Sequence, residues 1–285
     1  MTGNDIKESH LRHAALAQLY RWFQFYENPN VGITNQLDIL APDILVKSDL
    51  GDALGHVSYI ERISRLPKEW RNAHFLSDPL VTIEPDGWIH VVADVRYLNH
   101  GMLPGGAVKE VCLTYTTERS CSANYLPKIT SIASSQKEER LAAKFEDSYI
   151  ENRMKSLIHC WFAIYEDFSK DSDSVLEIVT EDFELKLFGG TLDSAEKLQE
   201  WMEVWPRLLE AHSHVVTDFS FVELGSGEYH VSIEFEWEGI GKRNGTHQVG
   251  RYRYAIIATD NPNERFARIK TLHMITLEPN MPKRT

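Results

Sequence analysis

His74 and His214 stand at matching positions of a sequence that repeats itself, and Tyr26-Glu27 matches Tyr165-Glu166 in the same way. Histidine is the side chain whose ordinary pKa lets it give or take a proton near neutrality. With an acid or a tyrosine hydroxyl in hydrogen-bond reach, and burial separating their pKa values, it supplies acid–base chemistry. Two further candidates occur in one copy only. His247 belongs to the second copy, where the first has Ala107, and Asp49 belongs to the first, where the second has Phe188. Each candidate also has an ordinary structural use. His74 and His214 serve equally as core histidines bonded to backbone carbonyls, Tyr26 and Tyr165 as helix-to-sheet packing, and Glu27 and Glu166 as solvated helix ends. Trp22 and Trp161 read as core, and Asp43 and Asp182 as caps or turns.

Other chemistries find little support. His212-Ser213-His214 puts two imidazoles on one strand face, and His10 and His13 form an i, i+3 helical pair, but neither has a carboxylate or cysteine partner at metal-ligand spacing. No phosphate-cradling GxxxxGK[ST] or GxGxxG loop and no GxSxG elbow is present. The expectation is therefore a site with no metal and no cofactor.

The elements that must position these residues come in duplicate. Residues 20–27 (YRWFQFYE) recur as 159–166 (HCWFAIYE), an offset of 139 from Trp22 to Trp161 that also relates Leu37 to Leu176 and Lys47 to Lys186. From His74 to His214 the offset is 140, and it relates Asp78 to Asp218, Gly87 to Gly227 and Ile129 to Ile269. Copies of this size exceed the roughly 20 to 50 residues of a solenoid unit and are domains. The boundary is expected near residue 137, giving 1–136 and 137–285, with Ser134-Ser135-Gln136-Lys137-Glu138 as linker.

Each copy opens on an apolar stripe at helical spacing: Leu11, Ala15, Leu19, Trp22, Phe23 and Tyr26 in the first, and Leu141, Phe145, Tyr149, Met154, Leu157, Trp161 and Tyr165 in the second. A second short helix is expected over 32–40 and 172–179, then a short strand, then a third helix ending at Pro67 or Pro206. Alternation over 88–97 and 229–238, with turns at Glu84-Pro85-Asp86-Gly87, Leu224-Gly225-Ser226-Gly227 and Thr259-Asp260-Asn261-Pro262-Asn263, predicts long antiparallel strands. Helices followed by such a sheet make an α+β domain with the leading helix on one sheet face.

The chain has 285 residues, 42% hydrophobic and 25% charged, with a net charge of -12. That suits two soluble domains and argues against nucleic acid, whose affinity comes from cations on phosphates. Lys and Arg against Asp and Glu number 12 and 15 in 1–136 but 18 and 27 in 137–285, so the second copy carries -9. No secretory signal and no membrane span is visible, and Cys112, Cys121 and Cys160 read as buried thiols, so cytoplasm is the default compartment.

Helix one ending in Trp-Phe-x-x-Tyr-Glu, Asp43/Asp182 before the first short strand, and the His74 and His214 segments leading into long strands together resemble the nuclear transport factor two-like superfamily, also called SnoaL-like or cystatin-like. The resemblance covers nearly the whole chain, once per copy. It implies two tandem cones, each a curved antiparallel sheet wrapped around a long helix, pairing sheet to sheet as an intrachain pseudo-dimer with scope for further self-association. His74-Phe75-Leu76-Ser77-Asp78 is similar to the segment that supplies a catalytic histidine in scytalone dehydratase, and Tyr26-Glu27 to that family's Tyr-Asp pair, with Glu in place of Asp. His247 matches a second dehydratase histidine. Asp49 resembles the general base of ketosteroid isomerase, at a spacing one residue longer.

The resemblance implies a cofactor-independent lyase or isomerase with dehydratase-like acid–base chemistry on a small hydrophobic molecule. The alternative is a non-catalytic ligand-binding or assembly module. An acid or tyrosine within about 3.2 Å of a histidine in an open cavity favours the enzyme, and a filled cone favours the module. Between the copies the second is the marginal expectation for chemistry, because it adds His247 to His214, Tyr165 and Glu166 and its acidic surroundings should favour a protonated imidazole.

Overall fold

The structure, a computed structural model, describes residues 3–49, 51–120, 126–169, 172–243 and 245–283; Cys121 lies outside them. In chain order the first copy contains α1 (Gly3–Lys7), α2 (Ser9–Glu27), α3 (Ile33–Asp38), β1 (Leu40–Lys47), β2 (Ala53–Leu54), α4 (Gly55–Ile63), β3 (Arg71–Ile83), β4 (Trp88–His100), β5 (Val108–Ser120) and β6 (Ile129–Ala142). The second contains α5 (Tyr149–Glu166), a 3₁₀ turn (Ser172–Ile178), β7 (Val179–Leu187), β8 (Gly190–Leu192), α6 (Ala195–Leu208), β9 (Leu209–Gly225), β10 (Glu228–Gly241), β11 (His247–Thr259) and β12 (Arg268–Pro282).

The strands form two six-stranded sheets of the same order, β2-β1-β6-β5-β4-β3 and β8-β7-β12-β11-β10-β9. Each is an α+β arrangement. The sheets are mixed rather than antiparallel throughout, because β1 runs parallel to β6 and β7 parallel to β12. That pairing brings the short strand after the opening helices against the last strand of the copy.

The chain divides into two compact units. The first is Ala14–Ser156 and the second is Met1–His13 with Leu157–Thr285, so each unit takes its opening residues from the other copy. Residues 134–138 lie within β6. Their polar composition suggests a linker because both faces of this stretch of strand are solvated: residues 135–141 are exposed. The same strand absorbs Leu141, which is exposed, so α5 opens at Tyr149 rather than with Leu141. Pro206 lies inside α6, two residues before its end.

In the first unit α2 turns Ala14, Ala15, Ala17, Leu19, Trp22 and Phe23 to the core. Its pattern stops at Glu27, two residues before Pro29, which disfavours helix in the residue before it. The sheet face it meets comes from alternation: Ile89, Val91, Ala93 and Val95 of β4 are buried, and Tyr229, Val231, Ile233, Phe235 and Trp237 of β10 do the same work in the second unit. Cys160 is buried and Cys112 half-buried. Among the described residues no helix is long and apolar enough to cross a membrane.

Gly101, just after β4, holds φ at 112°, and a Cβ there would meet Glu69 O at 3.0 Å. Gly32, before α3, has open space and φ near -69°. Gly101→Ala is therefore expected to destabilise by about 1–3 kcal/mol while Gly32→Ala stays within about 0.5; urea unfolding midpoints compare the two, and equal shifts would refute the steric account.

Candidate active site

Glu27, the last residue of α2, looks like a solvated helix end in the sequence, yet its side chain is fully buried. One oxygen, Oε1, gathers four donors. The His74 backbone N–H reaches it at 3.0 Å, the Ser148 hydroxyl at 2.7 Å and the Asn152 amide at 2.8 Å. The fourth is the His74 ring, Nδ1 at 3.0 Å. Asn152 also donates to the His74 carbonyl at 2.9 Å. With Glu27 Oε1 as the acceptor, Nδ1 is the donating nitrogen of His74 and Nε2 carries the lone pair. Phe23 stacks on the ring at a centroid distance of 4.7 Å and Tyr97 lies 5.1 Å away.

His74 lines a cavity of about 160 Å³ with Tyr26, Arg62, Trp70, Asn72 and Tyr97 among its walls. An apolar cavity of similar size accepts a benzene-sized guest. The Asn72 carbonyl oxygen takes hydrogen bonds from the Tyr97 hydroxyl at 2.7 Å and from the Asn99 amide at 2.8 Å, while Asn72 donates to the Tyr26 carbonyl at 3.0 Å. Tyr26 and Tyr59 share a hydroxyl–hydroxyl bond of 2.7 Å. Burial raises Tyr26 well above the usual tyrosine range and pushes Tyr97 up to about 12. These hydroxyls therefore stay protonated at neutral pH and act as donors, not bases. Asp49 also lines this cavity, as an exposed residue just after β1.

The second unit repeats the dyad with aromatic rings packed around its histidine. Glu166 Oε1 takes the His214 backbone N–H at 2.7 Å and lies 2.8 Å from its Nδ1. Ser9 supplies the hydroxyl, and His13 stands in for the amide, with Nε2 2.9 Å from the His214 carbonyl and 3.5 Å from Glu166. Ser9/Ser148 and His13/Asn152 obey the offset of 139 that relates Glu27 to Glu166. His214 is packed between Phe162, stacked at 4.4 Å, Tyr165 at 5.2 Å, Phe235 at 5.2 Å and His212 at 5.3 Å.

Strand register shows what fills the space. Tyr97 faces His74 across β3 and β4, and Trp237 faces His214 across β9 and β10. Two residues before these stand Val95 and Phe235, and their partners on the next strand are Leu113 and Tyr252. Val95 and Leu113, the latter on the cavity wall, thus correspond to aromatic rings in the second unit, with Phe235 and Tyr252 5.8 Å apart.

Burial decides the ionisation there. It pushes Glu166 well above the carboxylate range and His214 well below the imidazole range, with the charges of His212 and His13 lowering His214 further. The expectation that an acidic half would favour protonated histidine fails for this reason: desolvation outweighs distant carboxylates. His247 does not join His214. It stands on β11 opposite Ile240, with Nε2 3.5 Å from Glu238 Oε2. Tyr165 is buried against Trp201, stacked at 4.9 Å.

The structure thus brings His74, Tyr26 and Asp49 to one cavity, places His214, Tyr165 and Glu166 together in a filled core, and leaves His247 apart. Sequence reasoning passed over Ser148, Asn152, Asn72, Tyr97 and Arg62. The repeat itself carried the signal for Ser148 and Asn152, since Ser9 and His13 answer them at the common offset.

No family model matches the sequence, and no curated protein is similar to it in sequence. Solved structures similar to half of the chain include a nuclear transport factor two-like superfamily protein from Salmonella enterica serovar Typhimurium, 11% identical at a TM-score of 0.40 over 48% of this chain and 94% of that one. Another is the hexachlorocyclohexane dehydrochlorinase LinA type 3 from Novosphingobium barchaimii, 13% identical at 0.41 over 47% and 90%. A protein with a cystatin-like fold from Caulobacter vibrioides is 11% identical at 0.38 over 45% and 90%.

The buried histidines of the second unit give it an acid limb. His13 and His212 are lowered to about 4 from 6.5, mainly by burial. Between those values the unfolded chain binds protons that the folded one does not, so stability falls as pH falls. Glu166, held high, works in the opposite sense: the folded chain keeps a proton that the unfolded one loses as pH rises. His13→Asn, which installs the residue the first unit uses, is expected to shrink the fall in Tm between pH 7 and pH 5. An unchanged fall would refute this assignment.

Proposed function

We propose that the first unit is a cofactor-independent acid–base catalyst, a lyase or isomerase acting on a small and largely apolar molecule, and that the equivalent dyad of the second unit is structural. The observation that supports it is the Glu27–His74 pair: a buried carboxylate fixes Nδ1 at 3.0 Å while the same ring lines a cavity. In the second unit the equivalent pair is buried, with Phe162 stacked on the His214 ring.

In the proposed reaction His74 Nε2 takes a proton from a carbon made acidic by a neighbouring group. Glu27 holds the ring and stabilises the imidazolium that forms. The electron pair left on carbon then expels a leaving group from the adjacent carbon, forming a double bond, or is reprotonated elsewhere by the same imidazolium. Tyr26, protonated throughout, supplies a hydrogen-bond donor at the wall when Tyr59 donates to it, while the Tyr97 proton is held by Asn72. The apolar surfaces of Trp22, Val111 and Ile132 fit the non-reacting part of such a molecule.

The test is exchange of α-hydrogens of small cyclic ketones such as 2-indanone in deuterated water, followed by NMR. His74→Ala is expected to lower the rate by roughly 10²-fold or more, the usual scale for a general base. Glu27→Gln should lower kcat with KM little changed, whereas His214→Ala should leave kcat/KM within a few-fold and lower Tm instead. Exchange that His74→Ala leaves untouched would overturn the proposal; a ligand bound and never transformed would favour a binding module.

A further inference from the structure

Arg62 is a cation on the wall of this cavity with two nitrogens shut off from water. Arg62 lies on α4, where Val57, Ile60 and Glu61 are exposed while Tyr59 is buried. Three residues on from Tyr59, Arg62 shares its inward face. Its Nη2 donates to the Ser48 hydroxyl at 2.6 Å, and Nε and Nη1 are shut off from water without any acceptor. Among the described residues Arg62 enters no ion pair.

The neighbouring charges do not compensate it. Lys109, also on the wall, is already bound to Glu139 at 2.9 Å, and Lys47 is exposed at the rim. Asp49 is exposed too, so water screens its charge. A guanidinium stays protonated in proteins. Its charge is felt inside the cavity, since it draws down the hydroxyl pKa values of Tyr26, Tyr59 and Tyr115 against the rise that burial imposes. A shielded cation without a partner is unfavourable until an anion arrives.

We propose that the cavity takes a small organic anion, a carboxylate on a ring-sized apolar body, and that Arg62 anchors the carboxylate. The positive wall runs against the chain's net charge of -12, which makes it a local feature rather than a consequence of composition. The anchor stands on Arg62 alone; which C–H then faces His74 rests on the acid–base proposal above. Arg62 on this account selects the substrate, and His74 with Glu27 moves the proton.

Benzoate and benzamide, alike in shape and different in charge, are the probes, titrated calorimetrically at pH 7.5. The wild-type protein is expected to bind benzoate roughly 10-fold or more tightly than benzamide, the scale of a hydrogen bond to a charged group. Arg62→Met should abolish that preference without weakening benzamide, and Arg62→Lys should retain part of it. If Arg62→Met does not fold, the wild-type ratio and Arg62→Lys still decide. Equal binding of the probes by the wild type, no binding of benzoate at millimolar concentration, or an undiminished preference in Arg62→Met would overturn the anchor. His74→Asn should keep the preference while losing proton exchange, so a failed catalyst and a failed anchor give different results.

Discussion

A carboxylate buried at the end of a helix is the constraint on which the rest of the first unit depends. Glu27 cannot be withdrawn from water without donors, because an unpaired buried charge costs far more than a hydrogen bond returns. Its donors come from three places in the chain: the backbone and ring of His74 on β3, the hydroxyl of Ser148 and the amide of Asn152. One oxygen atom therefore fixes the C-terminus of α2 against a strand and against the opening of α5. The orientation of the His74 ring follows as a by-product of keeping that oxygen satisfied.

Duplication preserved this arrangement and then let its surroundings drift. Ser9 and Ser148, Glu27 and Glu166 are identical pairs, whereas Asn152 faces His13 across the offset. That change replaces a neutral amide by a titratable ring that burial keeps uncharged. By register Val95 and Leu113 correspond to Phe235 and Tyr252, so two aliphatic side chains of the first copy are answered by two rings in the second. Filled in this way, a Glu–His pair is held neutral by desolvation and becomes a core element. Left open, it has a face toward a ligand.

The fold was largely legible because its signals are periodic. Alternation over β4 and β10 and the apolar stripes of α2 and α5 name the buried faces directly, and the near-constant offset of 139 to 140 names the repeat. What stayed hidden was non-local. The parallel pairing of β1 with β6 leaves no mark in either strand, and residues 134–138 look like a linker because a strand solvated on both faces has no period. The site was half legible: His74, Tyr26 and Asp49 could be named from type and register. The marginal expectation for the second copy counted ionisable groups and not the packing around them, to which Phe235 and Tyr252 contribute.

The two units also show why a buried titratable group is a poor guide to function by itself. Burial is the first cause of the shifts of both His214, which it lowers, and Glu166, which it raises. Perturbation of that origin grows as water is excluded, and the exclusion that produces it also shuts out any substrate. A working base needs the opposite compromise: a carboxylate deep enough to hold one ring nitrogen, and a cavity wide enough to leave the other exposed to a guest. In this chain Glu27 bonds one nitrogen of His74 and the same residue lines a cavity of about 160 Å³, whereas aromatic rings pack around His214.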